Sequence, residues 1–445
     1  MNSNDSHQVS SKDLHIEQLG KSAIDSPCPT RLDNPSLCEL RYVDDQEGLL
    51  FNPTVSAKTT ASNNPLVQLS GPRAKIYFNA PDVRAAIVTC GGLCPGINDV
   101  IRGIVMTLFY QYGVTQVSGI RYGYQGFLSK YGHAAMKLTP DSVSRIHTVG
   151  GSVLATSRGF EDLSGVVRYL REHRINQLYV IGGDGTMRGA MDIADEAAKA
   201  KHELSVVGVP KTVDNDIEYI DESFGFVTAF SEAARSISSA HAEAKCAPNG
   251  IGLVKLMGRH SGFIACHAAL AMNDVNYVLI PEVPFQLAGK KGFLNLLLHR
   301  MKQKGHAVIV VAEGAGQEYL NIDETQTDAS GNVRLKDIGL FLKEKIARFF
   351  VEHDEHVNVK YIDPSYMIRS VPAAPIDSVY CLRLATDAVH AAMAGKTKVV
   401  VAKRANQYVY LPMALLSKGR KRVDPEGALW FSVLDATGQP SRFTD

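Results

Sequence analysis

Between Val180 and Asp216 the chain gathers residue types suited to phosphoryl transfer. Val180-Ile-Gly-Gly-Asp-Gly-Thr-Met-Arg-Gly189 carries an apolar strand into a glycine turn whose backbone N–H groups can face phosphate oxygens. Asp184 stands where a Mg²⁺ ion bridging those oxygens needs a carboxylate. Val209-Pro-Lys-Thr-Val-Asp-Asn-Asp216 follows, and its Lys211, Thr212, Asp214 and Asp216 put a cation, a hydrogen-bond donor and a candidate base around one acceptor hydroxyl. The glycines alone would be weak; the carboxylates beside them carry the inference.

Further candidates lie along the chain. Gly91-Gly-Leu-Cys-Pro-Gly-Ile-Asn98 matches neither the P-loop nor the dinucleotide fingerprint. A strand-to-helix glycine turn still suits nucleotide phosphate, because orphan N–H groups at a helix start attract anions, and a purely structural turn is the alternative. Gly150-Gly-Ser-Val-Leu-Ala-Thr-Ser-Arg-Gly159 ends in Arg158, a phosphate clamp or a solvated arginine. Met257-Gly258-Arg259 and Glu313 each follow a β-rich run. A carboxylate at Glu313 can bind a sugar or start a helix, and Met257 alone would be assigned to a core. His241, His260 and His267 are taken as ordinary surface or partly buried residues.

The elements that position these groups alternate in type. Ala85 to Thr89 is a strand candidate, the glycine turn follows, and Asp99 to Tyr110 has helical spacing. Gln177 to Ile181, a turn at Gly182 to Gly185, and an alanine-rich helix from Arg188 to Lys201 repeat the pattern. Ser205 to Val209, Gly250 to Leu256, Tyr277 to Ile280 and Ala307 to Ala312 are further strands, with helices at Gly262 to Ala271 and Gly292 to Lys304. Alternating strands and helices predict parallel sheets covered on both faces, with ligands at the carboxyl strand ends. The candidate residues all fall at that edge.

The bulk properties set limits. A chain of 445 residues exceeds one ordinary core, so two domains plus appendages are expected. With 47 basic and 46 acidic residues no global field recruits nucleic acid or an anionic membrane. No apolar run approaches the roughly 18 residues of a span, and the amino terminus, with Asp5 and Asp13, is polar; a soluble, cytoplasmic protein is expected. Seven cysteines without framework spacing predict reduced thiols, and Cys90 and Cys94 read as small turn residues rather than zinc ligands. The polar start reads as an extension, Leu320 to Asp337 as an exposed insertion with a turn at Asp328–Asn332, and Leu416 to Asp445 as a tail whose Trp430 packs on the core or on a partner.

The residues closely resemble the phosphofructokinase family. The elements that match are Gly91-Gly-x-x-Pro-Gly-x-Asn98, Arg121-Tyr-Gly-Tyr-Gln-Gly126, Gly182-Gly-Asp-Gly-Thr186, Pro210-Lys-Thr-Val-Asp-Asn-Asp216, Lys255-Leu-Met-Gly-Arg259, Glu313 and Tyr366-Met-Ile-Arg369, in family order from about Ala74 to Lys403. Gly71-Pro-Arg-Ala-Lys-Ile-Tyr-Phe78 and Lys360 to Pro372 resemble the plant and trypanosome branch, which combines pyrophosphate-enzyme-like sequence with ATP use. The resemblance implies an α/β fold of two Rossmann-like three-layer domains with mostly parallel sheets and the active site in the cleft between them. The expected division is an extension (1–72), a nucleotide-binding domain (73–225), a sugar-phosphate-binding domain (226–415, with the chain crossing back) and a tail (416–445).

The same resemblance implies phosphoryl transfer from ATP to the 1-hydroxyl of fructose 6-phosphate, with Mg²⁺ as cofactor. Gly92, Tyr124, Arg158, Gly159, Gly183, Asp184, Gly185, Thr186 and Gly189 would surround the nucleotide, Asp184 holding the metal. Asp214 would take the hydroxyl proton, Thr212 and Asp216 would fix geometry and metal waters, and Lys211 would assist. Thr212, Val213, Asp214, Met257, Gly258, Arg259, Glu313, Lys360, Tyr366, Met367, Ile368 and Arg369 would hold the sugar phosphate, Arg158 and Arg259 offsetting charge on the transferring group. A homo-oligomer is implied, a tetramer or a dimer. Tyr366 stands where bacterial allosteric members have histidine, and Gly250 where they have an arginine that reaches the neighbouring subunit.

Donor choice turns on two positions. Pyrophosphate enzymes of the family carry Asp in place of Gly185, which would crowd and repel the α-phosphate of ATP; glycine leaves that space open. Lys211 stands where those enzymes hold the donor and typical bacterial ATP enzymes have glycine, but a cation excludes nothing. ATP is therefore the expected donor. A pyrophosphate-dependent enzyme is the alternative, and a silent subunit that senses nucleotide or sugar phosphate is a further one.

Overall fold

The largely apolar runs Ala85–Thr89, Gln177–Gly182, Ser205–Pro210, Gly250–Leu256 and His306–Ala312 form strands in which nearly every residue is buried, as strands covered on both faces must be. The computed structural model describes residues 9–28, 42–54, 64–159, 162–320, 326–327, 333–416 and 419–444. Asp5 and the turn expected at 328–332 lie outside the described residues. Two units divide the chain, the first drawn from Met1–Lys211, Ile217–Phe224 and Pro375–Gly419, the second from Thr212–Asp216, Gly225–Ala374 and Arg420–Asp445.

The first unit holds a seven-stranded sheet in the order Gln407–Pro412, Val399–Arg404, Ser205–Pro210, Gln177–Gly182, Ala85–Thr89, Val117–Ile120, Met136–Lys137. The inner pairings are parallel and the two outermost antiparallel. The chain runs from Ala85–Thr89 outward to Val117–Ile120 and returns to Gln177–Gly182 on the other flank, so strand order reverses between two neighbours. That switch point is where open α/β sheets bind ligands, and a glycine turn leaves the carboxyl end of each strand flanking it.

Val399–Arg404 pairs with Ser205–Pro210, with Val207 opposite Val399. The segment 375–419 therefore groups with the first unit, a crossing back of the chain that the sequence reading expects without locating. Described parts of the amino-terminal extension add small antiparallel pairs: Glu17–Gln18 on Lys396–Thr397 and Ile24–Asp25 on Lys75–Ile76. Asp45 joins Arg73 and Lys396 at 2.7 and 2.8 Å.

The second unit is built on a parallel sheet ordered Tyr277–Leu279, His306–Ala312, Gly250–Leu256, Asn358–Ile362. Its core includes Phe285, Phe293, Leu297, Ile309, Ile346, Phe350 and, from the tail, Phe443. The helix Ala428–Thr437 packs on Phe263–Ala271 and buries Trp430 to 2% exposure. Gln439 then bonds Val278 through both amide atoms, its Oε1 accepting from the Val278 N–H at 2.6 Å, which covers the edge strand. Trp430→Ala is expected to cost about 3–5 kcal/mol of unfolding free energy in a denaturant titration, because so large a side chain leaves a cavity.

Most predicted boundaries fall within two residues of the observed ones. The helix expected from Arg188 is an exception, since it starts at Asp184 and runs to Lys199. Glycines at 185 and 189 hid its first turn, where helix propensity is low but tertiary packing decides. Among the described residues no helix is long and apolar enough to cross a membrane.

Candidate active site

In the first unit, the strand Gln177–Gly182 delivers Gly183 as the cap of the helix Asp184–Lys199, and Asp184 is its first residue. Met187 N–H is bonded to Gly183 O at 2.9 Å, so the N–H groups of Asp184, Gly185 and Thr186 belong to the first turn, where no helical carbonyl is available. The two flanking loops converge here: Cys90 N–H donates to Ile181 O, Gly91 N–H to Ser157 O, and Lys211 N–H to Gly182 O, at 2.9, 3.0 and 2.9 Å. Lys211 is buried, and its Nζ donates to Gly92 O at 2.7 Å. Ser157 Oγ is buried without a hydrogen-bond partner, an orphan polar atom in the cradle. Arg158 and Gly159 beside it are exposed.

The helix start has room at Gly185. A Cβ at Gly185 would meet nothing nearer than Arg188 Nη2 at 3.8 Å, so the space beside the first turn is open. Tyr124 and Gly189 sit deeper. The Tyr124 hydroxyl donates to Thr186 O at 2.7 Å, and a Cβ at Gly189 would come within 3.0 Å of the Tyr124 ring. Both are buried and brace the helix from within.

In the second unit, the loop Thr212–Asp216 is tied to itself. Thr212 Oγ1 donates to Asp216 Oδ1 at 2.8 Å and accepts from the Asp214 N–H at 3.2 Å, while Asn215 takes a left-handed φ of 56°. Ser261 Oγ donates to Asp214 O at 3.2 Å. Val213 is buried. Asp214 as a whole is half-buried, yet its Oδ1 is sealed and has no hydrogen-bond partner.

Three neighbouring strand ends of this unit supply the remaining groups. Met257, Gly258 and Arg259 leave Gly250–Leu256, Glu313 leaves His306–Ala312, and Asp363 leads from Asn358–Ile362 into the helix Ser365–Arg369. Glu313 N–H donates to Leu256 O and Gly314 N–H to Gly258 O, at 2.9 and 3.1 Å. Gly258 is required: its φ is +126°, and a Cβ there would lie 2.4 Å from Ser261 O. Lys255 Nζ joins Asp337 and Asp363, each at 2.8 Å. Tyr366 and Met367 are exposed, Ile368 is buried, and the Arg369 guanidinium lies 4.7 Å from the Tyr366 ring centroid.

Lys360 is not brought to this group. It stands opposite Gly252, five residues before Met257, roughly 16 Å down the strand, and its Nζ is 4.0 Å from Glu243. A side chain at Gly250 would strike Ala244 O at 2.1 Å, so this fold has no room for the arginine that other members carry there. The segment read as an exposed insertion does more than cover a surface: Val333 O accepts from Arg259 Nη1, and Asp337 caps the helix Ile338–Glu352 while pairing Lys255.

Burial first, and then the charges of Asp216 and Glu313, hold the Asp214 carboxyl well above the ordinary carboxylate range, with Arg259 pulling the other way. Glu313 is also raised, by burial, against Arg259 and Lys255. A base must be ionised to act, and a raised pKa delays ionisation as pH climbs. With Asp214 as the base, the role the sequence reading expects of it, the acid limb of kcat falls at a pH above about 4, the ordinary aspartate value, and a limb at that value in a pH–rate profile would contradict that role.

Residues 84–392 match the family model described as phosphofructokinase. A protein of Borreliella burgdorferi named ATP-dependent 6-phosphofructokinase is 49% identical over 84% of this chain and 85% of its own. One of the same name from Amycolatopsis methanolica is 45% identical over 97% of this chain and 96% of its own, and ATP-dependent 6-phosphofructokinase 7 of Arabidopsis thaliana is 48% identical over 84% and 76%. The chain belongs to the phosphofructokinase family. Among solved structures, a pyrophosphate-dependent phosphofructokinase from Marinobacter aquaeolei superposes with a TM-score of 0.66, covering 80% of this chain and 91% of that one; at 20% identity this likeness speaks for the fold.

Family membership leaves several structural partners unassigned. Arg420 Nη1 lies 3.1 Å from Asp216 Oδ2, and Lys421 Nζ donates to Asn215 Oδ1 at 3.1 Å. The basic run Lys418-Gly-Arg-Lys-Arg422 was a signal for them, although such a run ordinarily marks a solvated face. Asp363, Asp337 and Ser157 carried no signal that sequence reasoning could weigh.

Proposed function

We propose that the chain is an ATP-dependent 6-phosphofructokinase, transferring the γ-phosphate of ATP to the 1-hydroxyl of fructose 6-phosphate to give fructose 1,6-bisphosphate and ADP. The observation that carries this is the sealed, unpartnered Oδ1 of Asp214, a buried carboxylate oxygen with a raised pKa inside a loop held by bonds from Thr212 and Ser261.

In the proposed reaction Asp214 takes the proton of the 1-hydroxyl as its oxygen bonds to the γ-phosphorus and the bond to ADP breaks. Thr212 and Asp216 keep the loop in register, and Arg259 and Arg158 offset charge on the transferring group. Glu313, Met257 to Arg259 and Tyr366 to Arg369 are the sugar-phosphate residues; Tyr124 and Gly189 support the nucleotide residues from beneath. The first-turn N–H groups of Asp184, Gly185 and Thr186, with Gly92, Gly183, Gly159 and Lys211, are proposed to meet the donor phosphates.

A Mg²⁺ ion fits this donor set. Asp184, half-buried at the start of the helix, offers the hard carboxylate oxygen that Mg²⁺ takes alongside waters and phosphate oxygens. When bound, the ion would neutralise charge on the donor phosphates. A homo-oligomer, a tetramer or a dimer, is supported by Ile376, Val379 and Leu382, spaced along one helix with exposures of 61, 64 and 46%. The free thiols described fit a cytoplasmic location.

Purified protein with Mg²⁺, ATP and fructose 6-phosphate is expected to yield fructose 1,6-bisphosphate by ³¹P NMR; no new sugar phosphate resonance would refute the proposal. Lys211 keeps the pyrophosphate-dependent enzyme as the second reading.

A further inference from the structure

The loop Thr212–Asp216 has a second support that lies outside the residues matched by the family model. Besides the Arg420 pairing with Asp216 and the Lys421 bond to Asn215, Lys421 N–H donates to Asp216 O at 3.0 Å. Two residues later Val423 N–H donates to Glu282 Oε1 at 2.8 Å. The same oxygen accepts from Gly262 N–H at 3.0 Å, next to Ser261, whose hydroxyl bonds Asp214 O. Lys421 Nζ also lies 5.3 Å from the Phe263 ring centroid. Arg420 and Lys421 are thus fastened to the candidate catalytic loop, and Val423, through Glu282, to the turn that holds Asp214.

We propose that Arg420 is a positioning residue for the transfer step, holding Asp216 so that the loop keeps Asp214 aimed at the acceptor hydroxyl, with Lys421 and Glu282 fixing the segment that carries it. The proposal rests on the assignment of Asp214 as base. The ion pair is partly open to solvent, with 36% of the Arg420 side chain and 10% of the Asp216 side chain exposed, so it adds little to global stability and its loss should be read in turnover rather than folding. Its charge matters too. Asp214 faces Asp216, Glu313 and Arg259, while Asp216 faces Arg420 and His260, and His260 in turn faces Arg259, Arg420 and Arg422. Removing the Arg420 charge leaves Asp216 less compensated, which favours the protonated form of Asp214.

The test measures kcat and both KM values against pH for wild type, Arg420→Gln and Arg420→Lys. Arg420→Gln should lose about 10- to 100-fold in kcat, the scale of a small misplacement of a reacting group, with KM values within about threefold of wild type and the acid limb moved to higher pH. Arg420→Lys, which keeps the charge, should recover the limb and part of kcat. An Arg420→Gln enzyme with wild-type kcat and limb overturns the proposal, as does a loss confined to KM or one that lysine leaves unrepaired. If wild type makes no fructose 1,6-bisphosphate, the assignment of function fails and the proposal falls with it; an active wild type with an indifferent Arg420→Gln defeats this proposal alone.

Discussion

Asp214→Asn is expected to lower kcat about 1000-fold while fructose 6-phosphate still binds with near wild-type affinity. The size follows from what one positioned general base contributes, commonly 10²- to 10⁴-fold. The amide keeps the shape of the carboxyl group and the backbone bonds at Asp214 N and O, so the loop anchored by Thr212 and Ser261 should persist. What is lost is the acceptor for the hydroxyl proton, an oxygen with no other hydrogen-bond partner. Burial and the neighbouring Asp216 and Glu313 also mean that an uncharged side chain is less costly there than a carboxylate, so folding should not suffer. Stopped-assay turnover together with calorimetric titration of fructose 6-phosphate checks both halves. A variant that keeps its turnover would remove Asp214 from the role of base, and a sensing subunit would be indifferent to the change.

Gly185→Asp is expected to cost at least about 100-fold in ATP-dependent kcat/KM. The fold tolerates the side chain, because the Cβ position is open apart from the end of Arg188. An acidic residue in a helix first turn is not in itself destabilising. The cost falls on the ligand: in the proposed placement an exposed carboxylate at 185 sets like charges a few Å from the donor phosphates, about 4 kcal/mol at the effective dielectric of a protein surface, and about 3 kcal/mol already corresponds to 100-fold. Steady-state kinetics with ATP decides it, and an unchanged value would show that the nucleotide does not pass this position.

How much of this was legible beforehand depends on whether a signal is local. Ala85–Thr89 and Gly250–Leu256 were placed to the residue because a short apolar run bounded by turn residues is a complete local signal. The loop Thr212–Asp216 was legible in the same way, its chemistry written in adjacent residues. The helix start at Asp184 was not, since Gly185 and Gly189, the latter packed closely against Tyr124, look like a turn. The return of 375–419 to the first unit depends on Val399 meeting Val207, a pairing between distant segments that leaves no mark on either. Arg420 and Lys421 were hidden for the same reason: a basic run reads as solvated until the loop it contacts is known. Lys360 stands apart from the other sugar-phosphate candidates within one chain, opposite Gly252 and beside Glu243, a placement set by strand pairing that the motif alone does not carry.

The most direct measurement is the initial rate of fructose 1,6-bisphosphate formation by the unaltered protein with Mg²⁺ and fructose 6-phosphate, comparing ATP with pyrophosphate as donor. The account predicts turnover with ATP and none of consequence with pyrophosphate, Gly185 admitting the nucleotide and Lys211 merely permitting it. Turnover with pyrophosphate and none with ATP would contradict it.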